Sequence, residues 1–275
     1  MNILDSGFVK GFARMATDGF NMGWHERNGG NLSYRIKDEE VAQVRGGLDF
    51  SKPWIEIGAD VPNLAGEFFL VTGRGKFLRN VEIDPEANLA LIELDEKGER
   101  YRVAWGLRDG GQPTMELAPH LMNHAVKKTV TNGAFRIIYH AHTPNLIALT
   151  FVLPLTDEAF TRELWEMMPE APFVFPRGVG IVKWMVPGTR ELAVATSELM
   201  KKYDAAIWAQ HGTFCSGENF DLAFGLMHTV EKAAEILVKV LSMGGKRQTT
   251  SAQNLRDLAA GLNLPLEDRF LFEKA

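Results

Sequence analysis

Apolar and polar positions alternate along the chain in a way that predicts helices and strands in succession. Apolar residues recur near helical spacing in the first 22 residues, and this pattern stops at the glycine-rich turn "ERNGGN", residues 26–31. The alternating "NLSYRI" and the compact "EFFLV" each predict a strand, and "EFFLV" ends in the glycine loop "TGRGKF". Between those strands, residues 37–66 carry mixed signals that predict an elaborated loop with short strands.

The remainder of the chain continues this alternation. The stretch "NLALIELDEKGERYRVAWG" predicts a hairpin that turns at "EKG", and residues 114–128 have helical spacing. Four later segments predict strands: "FRIIYHAH", "FVF", "GIVKWMV" and "AAIWAQHG". Five predict helices: "NLIALTF", "TDEAFTRELWEM", "GTRELAVATSELMKK", "FDLAFGLMHTVEKAAEILVKVLSMGG" and "SAQNLRDLAAGL". We therefore expect an α/β protein with a central sheet covered on both faces, and the absence of a repeat or linker favours one domain over residues 1–275.

Composition narrows the classes of function. The net charge is -5, and the basic residues are interspersed with acidic ones, so no basic stripe is available for nucleic acid. No window approaches the roughly 18 uninterrupted apolar residues of a membrane helix, and the N-terminal segment resembles an amphipathic helix more than a signal peptide. The single cysteine, Cys215, excludes an intrachain disulfide framework and predicts a reducing compartment, by default the cytoplasm.

Two histidines close one of the predicted strands. His140 and His142 lie in "YHAHTPN", and side chains two positions apart on a strand point to the same face. Both imidazoles could therefore bind one metal ion, but the pair alone is weak evidence, because buried histidines that hydrogen-bond to the backbone also occur. His211 follows a second apolar strand, and Gly212 leaves space beside its ring. Three histidines at one edge of a sheet suit a catalytic zinc site with an open position.

A rival pair of histidines lies on the predicted helix of residues 114–128. His120 and His124 are one turn apart, and Glu116 lies one turn earlier on the same face. No glutamate follows His120 directly, so the signature of a helical zinc protease is absent. A structural role is the simpler interpretation for this pair, and also for the isolated His25 and His228.

Other motifs remain ambiguous when the residues are considered alone. A carboxylate such as Glu116 is favoured at a helix start by the helix dipole, without any catalytic role. The loops "RNGGN" and "TGRGKF" are glycine turns rich in backbone donors, but neither has the spacing of a P-loop or a dinucleotide-binding fingerprint.

Several motifs in a fixed order carry more information than any of them alone. They are "GWHERNGGNLS", "LVTGRGKF", "GQPTMELAPH", "YHAHTPNLIALT", "VGIVKWMVPGT" and "QHGTFCSG". Together they resemble the class II aldolase family, and more closely its rhamnulose-1-phosphate aldolase branch. The resemblance extends from about residue 23 to the segment "VKVLSMGGKRQTTS" and so covers nearly the whole chain.

The resemblance implies a fold, an assembly and a metal. The fold would be a three-layer α/β/α domain around a central, mostly antiparallel sheet, the class II aldolase and adducin-head fold. The family assembles as a fourfold homotetramer with active sites at subunit interfaces. One Zn²⁺ per subunit would be held by His140, His142 and His211, and the rival histidine pair would be structural.

The resemblance also implies a reaction. The enzyme would be a lyase of carbohydrate degradation that reversibly cleaves L-rhamnulose 1-phosphate to dihydroxyacetone phosphate and L-lactaldehyde. Zinc would stabilise the enediolate, and Glu116 would move the proton at the reacting carbon. Glu170, from a neighbouring subunit, would lie near the aldehyde oxygen.

Phosphate would be bound by the two glycine loops and the start of the helix, namely by Asn28, Gly29, Asn31, Gly73, Arg74, Gly75, Thr114 and Met115. Here the chain departs from the pattern expected of the branch, in which "TGSGKF" and "PTSE" stand where this sequence has Arg74 and Met115. This sequence also has "ELAPH" in place of an expected "ELPAH". The guanidinium of Arg74 could hold phosphate in place of a hydroxyl. Alternatively, the two changes adapt the pocket to an unphosphorylated donor such as dihydroxyacetone.

Two other functions remain compatible with these motifs. A related class II aldolase or epimerase could act on another sugar phosphate. The same fold also serves as a non-catalytic, adducin-like oligomerising module, although retention of the three histidines and Glu116 argues against that.

Overall fold

Nine strands and ten α-helices form the part of the chain that this computed structural model describes, residues 1–272. The strands are β1 (Asn31–Arg35), β2 (Ile55–Glu56), β3 (Phe68–Thr72), β4 (Leu89–Leu94), β5 (Arg100–Gly106), β6 (Ile137–Ala141), β7 (Gly180–Val182), β8 (Ala205–Trp208) and β9 (Gly212–Gly217). The helices are α1 (Gly7–Asn21), α2 (Asp38–Val44), α3 (Pro85–Asn88), α4 (Leu117–Val130), α5 (Pro144–Leu149), α6 (Asp157–Trp165), α7 (Glu170–Val174), α8 (Arg190–Met200), α9 (Phe220–Ser242) and α10 (Ala252–Leu262). Over residues 1–272, none of the helices has both the length and the apolarity needed to span a membrane.

All nine strands belong to one sheet with the order β2-β5-β4-β3-β1-β6-β9-β8-β7. Every pair is antiparallel except β7 and β8 at one edge. Helices α1, α5, α6 and α9 pack on one face and contribute to the largest apolar cluster, whereas α4 and α8 contribute to two smaller clusters on the other face. The predicted three-layer α/β/α architecture with a mostly antiparallel sheet is therefore confirmed.

Short elements depart from the prediction. Residues 37–66 contain the helix α2 besides the short strand β2, because Val41 and Val44 bury one side of a segment only seven residues long. A segment of that length is too short to establish a helical period in the sequence.

Three strand assignments also change. The run "FVF", residues 173–175, is not a strand: its first two residues belong to α7, and a short apolar run cannot by itself distinguish a strand from a buried helical turn. Only residues 180–182 of "GIVKWMV" pair with β8, at the edge of the sheet. The strand β9 was not predicted, since "GTFCSG" is short and rich in small residues.

The register of the central strands determines which side chains meet. Asn31 of β1 lies opposite His140 of β6, and His140 lies opposite Phe214 of β9. Because side chains alternate between the two faces, Asn31 and Ser33 of β1 share the face of the sheet that α4 covers. His140 is directed to the same side, where its ring packs against Trp208 in a tilted arrangement.

A buried carboxylate fixes the helix that follows His142. Glu231 of α9 is only 4% exposed and accepts hydrogen bonds from the backbone N–H groups of Asn145 (2.9 Å) and Leu146 (3.0 Å). These are orphan donors of the first turn of α5, whose own N-cap, Thr143, makes no side-chain cap bond. Burial raises the pKa of Glu231, and the backbone donors act against that rise. The carboxylate thus ties the segment after β6 to the longest helix.

We expect Glu231→Ala to destabilise the fold by about 2–5 kcal/mol, because it leaves buried backbone donors without an acceptor. Glu231→Gln retains one acceptor oxygen and should cost less. Urea denaturation monitored by far-UV circular dichroism measures the difference. The matched control is Glu235→Gln in the same helix, where two surface ion pairs, with Lys232 and Lys239, are lost with little effect. An equal loss for Glu231→Ala and the control would contradict the capping role.

Candidate active site

Three histidines converge at one edge of the central strands. His140 lies in β6, His142 directly follows that strand, and His211 lies in the turn between β8 and β9. One ligand nitrogen from each of the three lies within 4.8 Å of the others. Over residues 1–272, this is the only group of three or more histidine, cysteine or acidic side chains with such spacing. The three residues expected to be metal ligands therefore lie together.

The hydrogen bonds of these imidazoles leave nitrogen atoms directed into the site. His140 donates from Nδ1 to the carbonyl of Thr213 (3.1 Å), so its Nε2 carries a lone pair. That Nε2 and Nδ1 of His211 are both buried, with no hydrogen-bond partner in the described part of the chain. Burial lowers the pKa of both His140 and His211 and so favours the neutral, metal-binding form. Buried unpartnered nitrogen atoms beside one another fit a divalent metal ion with nitrogen ligands, such as zinc.

Glu26 orients the third imidazole. Its Oε1 accepts a hydrogen bond from Nδ1 of His142 at 2.6 Å, which leaves Nε2 of that ring for a metal. Partial burial acts to raise the pKa of Glu26, but the hydrogen bond with His142, a backbone hydrogen bond and the nearby imidazoles of His142 and His25 together hold it below its ordinary value. A carboxylate behind a ligating histidine is the common arrangement for fixing the tautomer and the ring plane.

The turn that carries His211 is held in an unusual backbone conformation. Gln210 has a φ of 56°, and its backbone N–H donates to Oγ1 of Thr150 at 3.0 Å. At Gly212, a Cβ atom would lie 2.5 Å from the carbonyl oxygen of Ala141 and 3.1 Å from Cε1 of His140. Glycine therefore leaves the space beside the imidazoles that the sequence predicted.

The histidines line a cavity of about 250 Å³ together with residues of both glycine loops and the start of α4. Its lining is Asn28, Gly29, Gly30, Asn31, Thr72, Gly73, Arg74, Gly75, Thr114, Met115, Glu116, His140, His142, Pro187, Gly188 and His211. Glu116 is the N-cap residue of α4, and its Oε2 accepts a hydrogen bond from Nδ2 of Asn31 at 2.7 Å. A carboxylate and three candidate ligands thus face one space, as acid/base chemistry at a metal requires.

All eight residues expected to bind phosphate line this cavity, and their role remains a prediction. Met115 is 69% exposed. The side chain of Arg74 is exposed, and within residues 1–272 it makes no ion pair or hydrogen bond, so its charge is available to an anion. Asn31 donates one Nδ2 hydrogen to Glu116, and its second remains for a substrate oxygen.

Other histidines and Glu170 lie outside the cavity. His120 and His124 are fully buried and hydrogen-bonded to Ser33, in agreement with the structural interpretation. His25 is likewise hydrogen-bonded, to the Gly29 carbonyl and Tyr139, and His228 packs against Trp24 and Phe224. Glu170 is exposed at the start of α7, and its action from a neighbouring subunit remains a prediction.

Sequence reasoning missed five residues at the site. Glu26, Gly30, Thr72, Pro187 and Gly188 were not selected, although each belongs to or adjoins a motif already recognised. The signal for Glu26 was its place as the first residue of the glycine-rich turn "ERNGGN". Pro187 and Gly188 lie in "VPGT", which a search for titratable groups passes over.

Comparisons with known proteins place the chain in a family. Residues 11–238 match the family described as Class II Aldolase and Adducin N-terminal domain. The chain belongs to this family. Among curated members, a rhamnulose-1-phosphate aldolase from Mannheimia succiniciproducens is 48% identical over 258 residues, which are 94% of this chain and 95% of that protein. Its counterpart from Pectobacterium atrosepticum is 49% identical over 96% of this chain and 97% of that protein.

A solved structure agrees with this family membership. The sugar-phosphate aldolase from Thermotoga maritima has a TM-score of 0.74 and 29% identity, over 87% of this chain and 97% of that one. The class II aldolase fold implied by the motif order is thereby confirmed.

We expect Glu26→Ala to weaken metal binding by about 10- to 100-fold, because His142 loses the carboxylate that orients it. Glu26→Gln retains an acceptor oxygen, so its metal affinity should lie between that of Glu26→Ala and that of the native protein. Competition with a chromophoric chelator measures the affinity. The control Glu198→Ala removes an exposed carboxylate paired only with Lys201, and it should bind metal as the native chain does. Unchanged affinity in Glu26→Ala would refute the orienting role.

Proposed function

We propose that this protein is a cytoplasmic zinc-dependent lyase of rhamnose metabolism, which reversibly cleaves L-rhamnulose 1-phosphate to dihydroxyacetone phosphate and L-lactaldehyde. The observation that carries the proposal is the convergence of His140, His142, His211 and Glu116 on one cavity. The substrate is supported by relatives named rhamnulose-1-phosphate aldolase that match almost the entire chain at 48–49% identity.

The three histidines would hold one Zn²⁺ per subunit. When bound, the ion supplies a Lewis acid that stabilises the negative charge developing on the donor oxygens during carbon–carbon bond cleavage. The neutral imidazoles favoured by burial are the form required for this role.

Glu116 moves the proton at the reacting carbon. In the synthetic direction its carboxylate removes a proton from dihydroxyacetone phosphate, and in cleavage it returns one. The hydrogen bond from Asn31 holds one carboxylate oxygen, so that the other is free to face the cavity. The group is thus restrained before substrate arrives, which lowers the cost of orienting it.

The phosphate group would bind at the mouth of the cavity. Residues of the loops around Gly29 and Gly73–Gly75 line this space together with Thr114. The backbone N–H groups of Gly29, Gly73 and Arg74 already donate to carbonyls of the protein, so the side chains of Asn28, Thr114 and Arg74 would supply the phosphate contacts. The exposed guanidinium of Arg74 supplies a charged fork suited to phosphate oxygens. This arrangement favours a phosphorylated donor.

In a homotetramer, Glu170 would act on the aldehyde oxygen of a substrate that is bound in a neighbouring subunit. Its exposure at the start of α7, outside the cavity of its own chain, is compatible with that placement. Catalysis would then depend on assembly.

We expect the purified protein to release L-lactaldehyde and dihydroxyacetone phosphate from L-rhamnulose 1-phosphate. Removing metal with a chelator should abolish the activity, and adding Zn²⁺ should restore it. Glu116→Ala should lower kcat by about 10²- to 10⁴-fold, because the proton transfer loses its catalyst. A coupled assay of both products measures these rates.

Metal content is the control for that variant. Glu116 is not among the three clustered ligands, so Glu116→Ala should bind the metal as tightly as the native protein. Absence of bound metal at the histidines of the native protein would refute the enzyme proposal. Native activity in Glu116→Ala would refute only the assignment of the acid/base.

We expect Arg74→Ser to raise KM for L-rhamnulose 1-phosphate about 10- to 100-fold with little change in kcat, because a charged hydrogen bond to phosphate acts equally in ground and transition states. The kinetics of unphosphorylated L-rhamnulose should not change. The matched control is Arg79→Ser, an exposed arginine just after the same loop that lies over Phe77. If Arg74→Ser left both substrates unaffected, Arg74 would not belong to the phosphate site. If the native protein preferred the unphosphorylated ketose, that result would favour the alternative in which Arg74 and Met115 adapt the pocket to an unphosphorylated donor.

A further inference from the structure

A line of five polar side chains runs away from the cavity between β1 and α4. Nδ2 of Asn31 contacts Oε2 of Glu116 at 2.7 Å, and Oδ1 of Asn31 contacts Nε2 of His120. Oγ of Ser33 lies 2.7 Å from Nδ1 of His120 and 2.8 Å from Nε2 of His124. These contacts form one unbranched chain of hydrogen bonds from the candidate acid/base into the protein interior.

The spacing of the two elements creates this line. Glu116, His120 and His124 are four residues apart, so about 6 Å of helix axis separates each from the next on one face of α4. Asn31 and Ser33 are two residues apart, about 6.8 Å along the strand, on the face that α4 covers. The two repeats nearly match, so each β1 side chain fits between two α4 side chains.

Hydrogen-bond chemistry gives the chain a direction. An ionised Glu116 only accepts, so Asn31 must present its NH₂ group there and its carbonyl oxygen to His120. His120 must then donate from Nε2. Burial lowers the pKa of His120 to about 3, so the ring is neutral and Nδ1 must accept. The acceptor at Nδ1 requires the Ser33 hydroxyl to donate to His120, and Ser33 can in turn accept from Nε2–H of His124.

The inner end of the chain agrees with this direction. Nδ1 of His124 is buried without a partner in the described residues, and in this arrangement it is a lone pair and not an unpaired N–H. The rings at that end are held by packing, with Phe214 edge-on to His120 at 5.2 Å and Phe69 against His124 at 5.1 Å.

We propose that Ser33, His120 and His124 are positioning residues that fix the amide of Asn31 so that its NH₂ group holds the carboxylate of Glu116. The reverse amide orientation would place the carbonyl oxygen of Asn31 against a carboxylate oxygen, which repels it. Without the Ser33 hydroxyl, His120 can adopt the other tautomer and accept from Asn31, so the amide is restrained by Glu116 alone and its orientation is less firmly fixed. This chain of hydrogen bonds thus fixes the orientation of the Glu116 carboxylate through as many as three intervening residues.

The inference rests on the proposed function, and the test isolates the proton transfer assigned to Glu116. In D₂O without aldehyde, the enzyme should exchange one C–H of dihydroxyacetone phosphate for deuterium, as the carboxylate removes the proton and returns a deuteron. NMR measures the rate at saturating dihydroxyacetone phosphate and full metal loading. Ser33→Ala should slow this exchange about 10- to 100-fold.

A pair of variants at His124 tests the direction of the chain. The amide nitrogen of glutamine occupies roughly the place of Nε2, so His124→Gln restores a donor to Ser33. His124→Leu fills the space without one. We expect exchange within about threefold of native for His124→Gln and at least a tenfold loss for His124→Leu.

The matched control is Ser216→Ala. Ser216 is a buried serine of β9 whose hydroxyl donates to the carbonyl of Ile137 at 2.8 Å, so its loss removes a comparable bond from the same sheet. This variant should exchange at the native rate with native metal content. Native exchange in both Ser33→Ala and His124→Leu would overturn the proposal, as would equal rates for His124→Gln and His124→Leu. A native enzyme that exchanged no proton would overturn the proposed function and this inference with it.

Discussion

The pairing of β1 with β6 is the constraint on which the site depends. It sets Asn31 opposite His140 and so brings the residue that contacts Glu116 beside the first histidine of the cluster. Side chains alternate along a strand, and a slip of one residue would turn Asn31 and Ser33 to the opposite face, where α1 and α9 form the apolar core. The apolar residues Leu32 and Tyr34, which fill that core, therefore oppose any shift.

The hydrogen-bond partners of the ring nitrogens distinguish the candidate ligand cluster from the structural histidines. In the cluster of His140, His142 and His211, nitrogen atoms of different rings lie close together, and two of them have no hydrogen-bond partner among residues 1–272. In the layer below α4, the facing nitrogens of His120 and His124 share the hydroxyl of Ser33. A buried polar atom needs a partner, so the first arrangement calls for an ion, whereas the second is largely satisfied by the protein.

Long elements with a clear period were predictable, and short ones were not. The 23 residues of α9 and the 14 of α4 have enough turns to establish an apolar face. The segments α2, α7 and β9 are five to seven residues long, and tertiary packing decided their conformation. Glu26 was not selected for the same reason, because no feature of the neighbouring sequence indicates that its carboxylate contacts a histidine 116 positions later.

The sequence by itself determined the layered α/β architecture, the family and the candidate ligands, since these follow from periodicity and from the order of motifs. The tertiary structure decided which polar groups are paired. It assigned Glu26 to His142, Asn31 to Glu116, and the histidines of α4 to a serine on β1. Such pairings depend on strand register and on the match between helix and strand repeats, which are properties of the packed layers and not of any one segment.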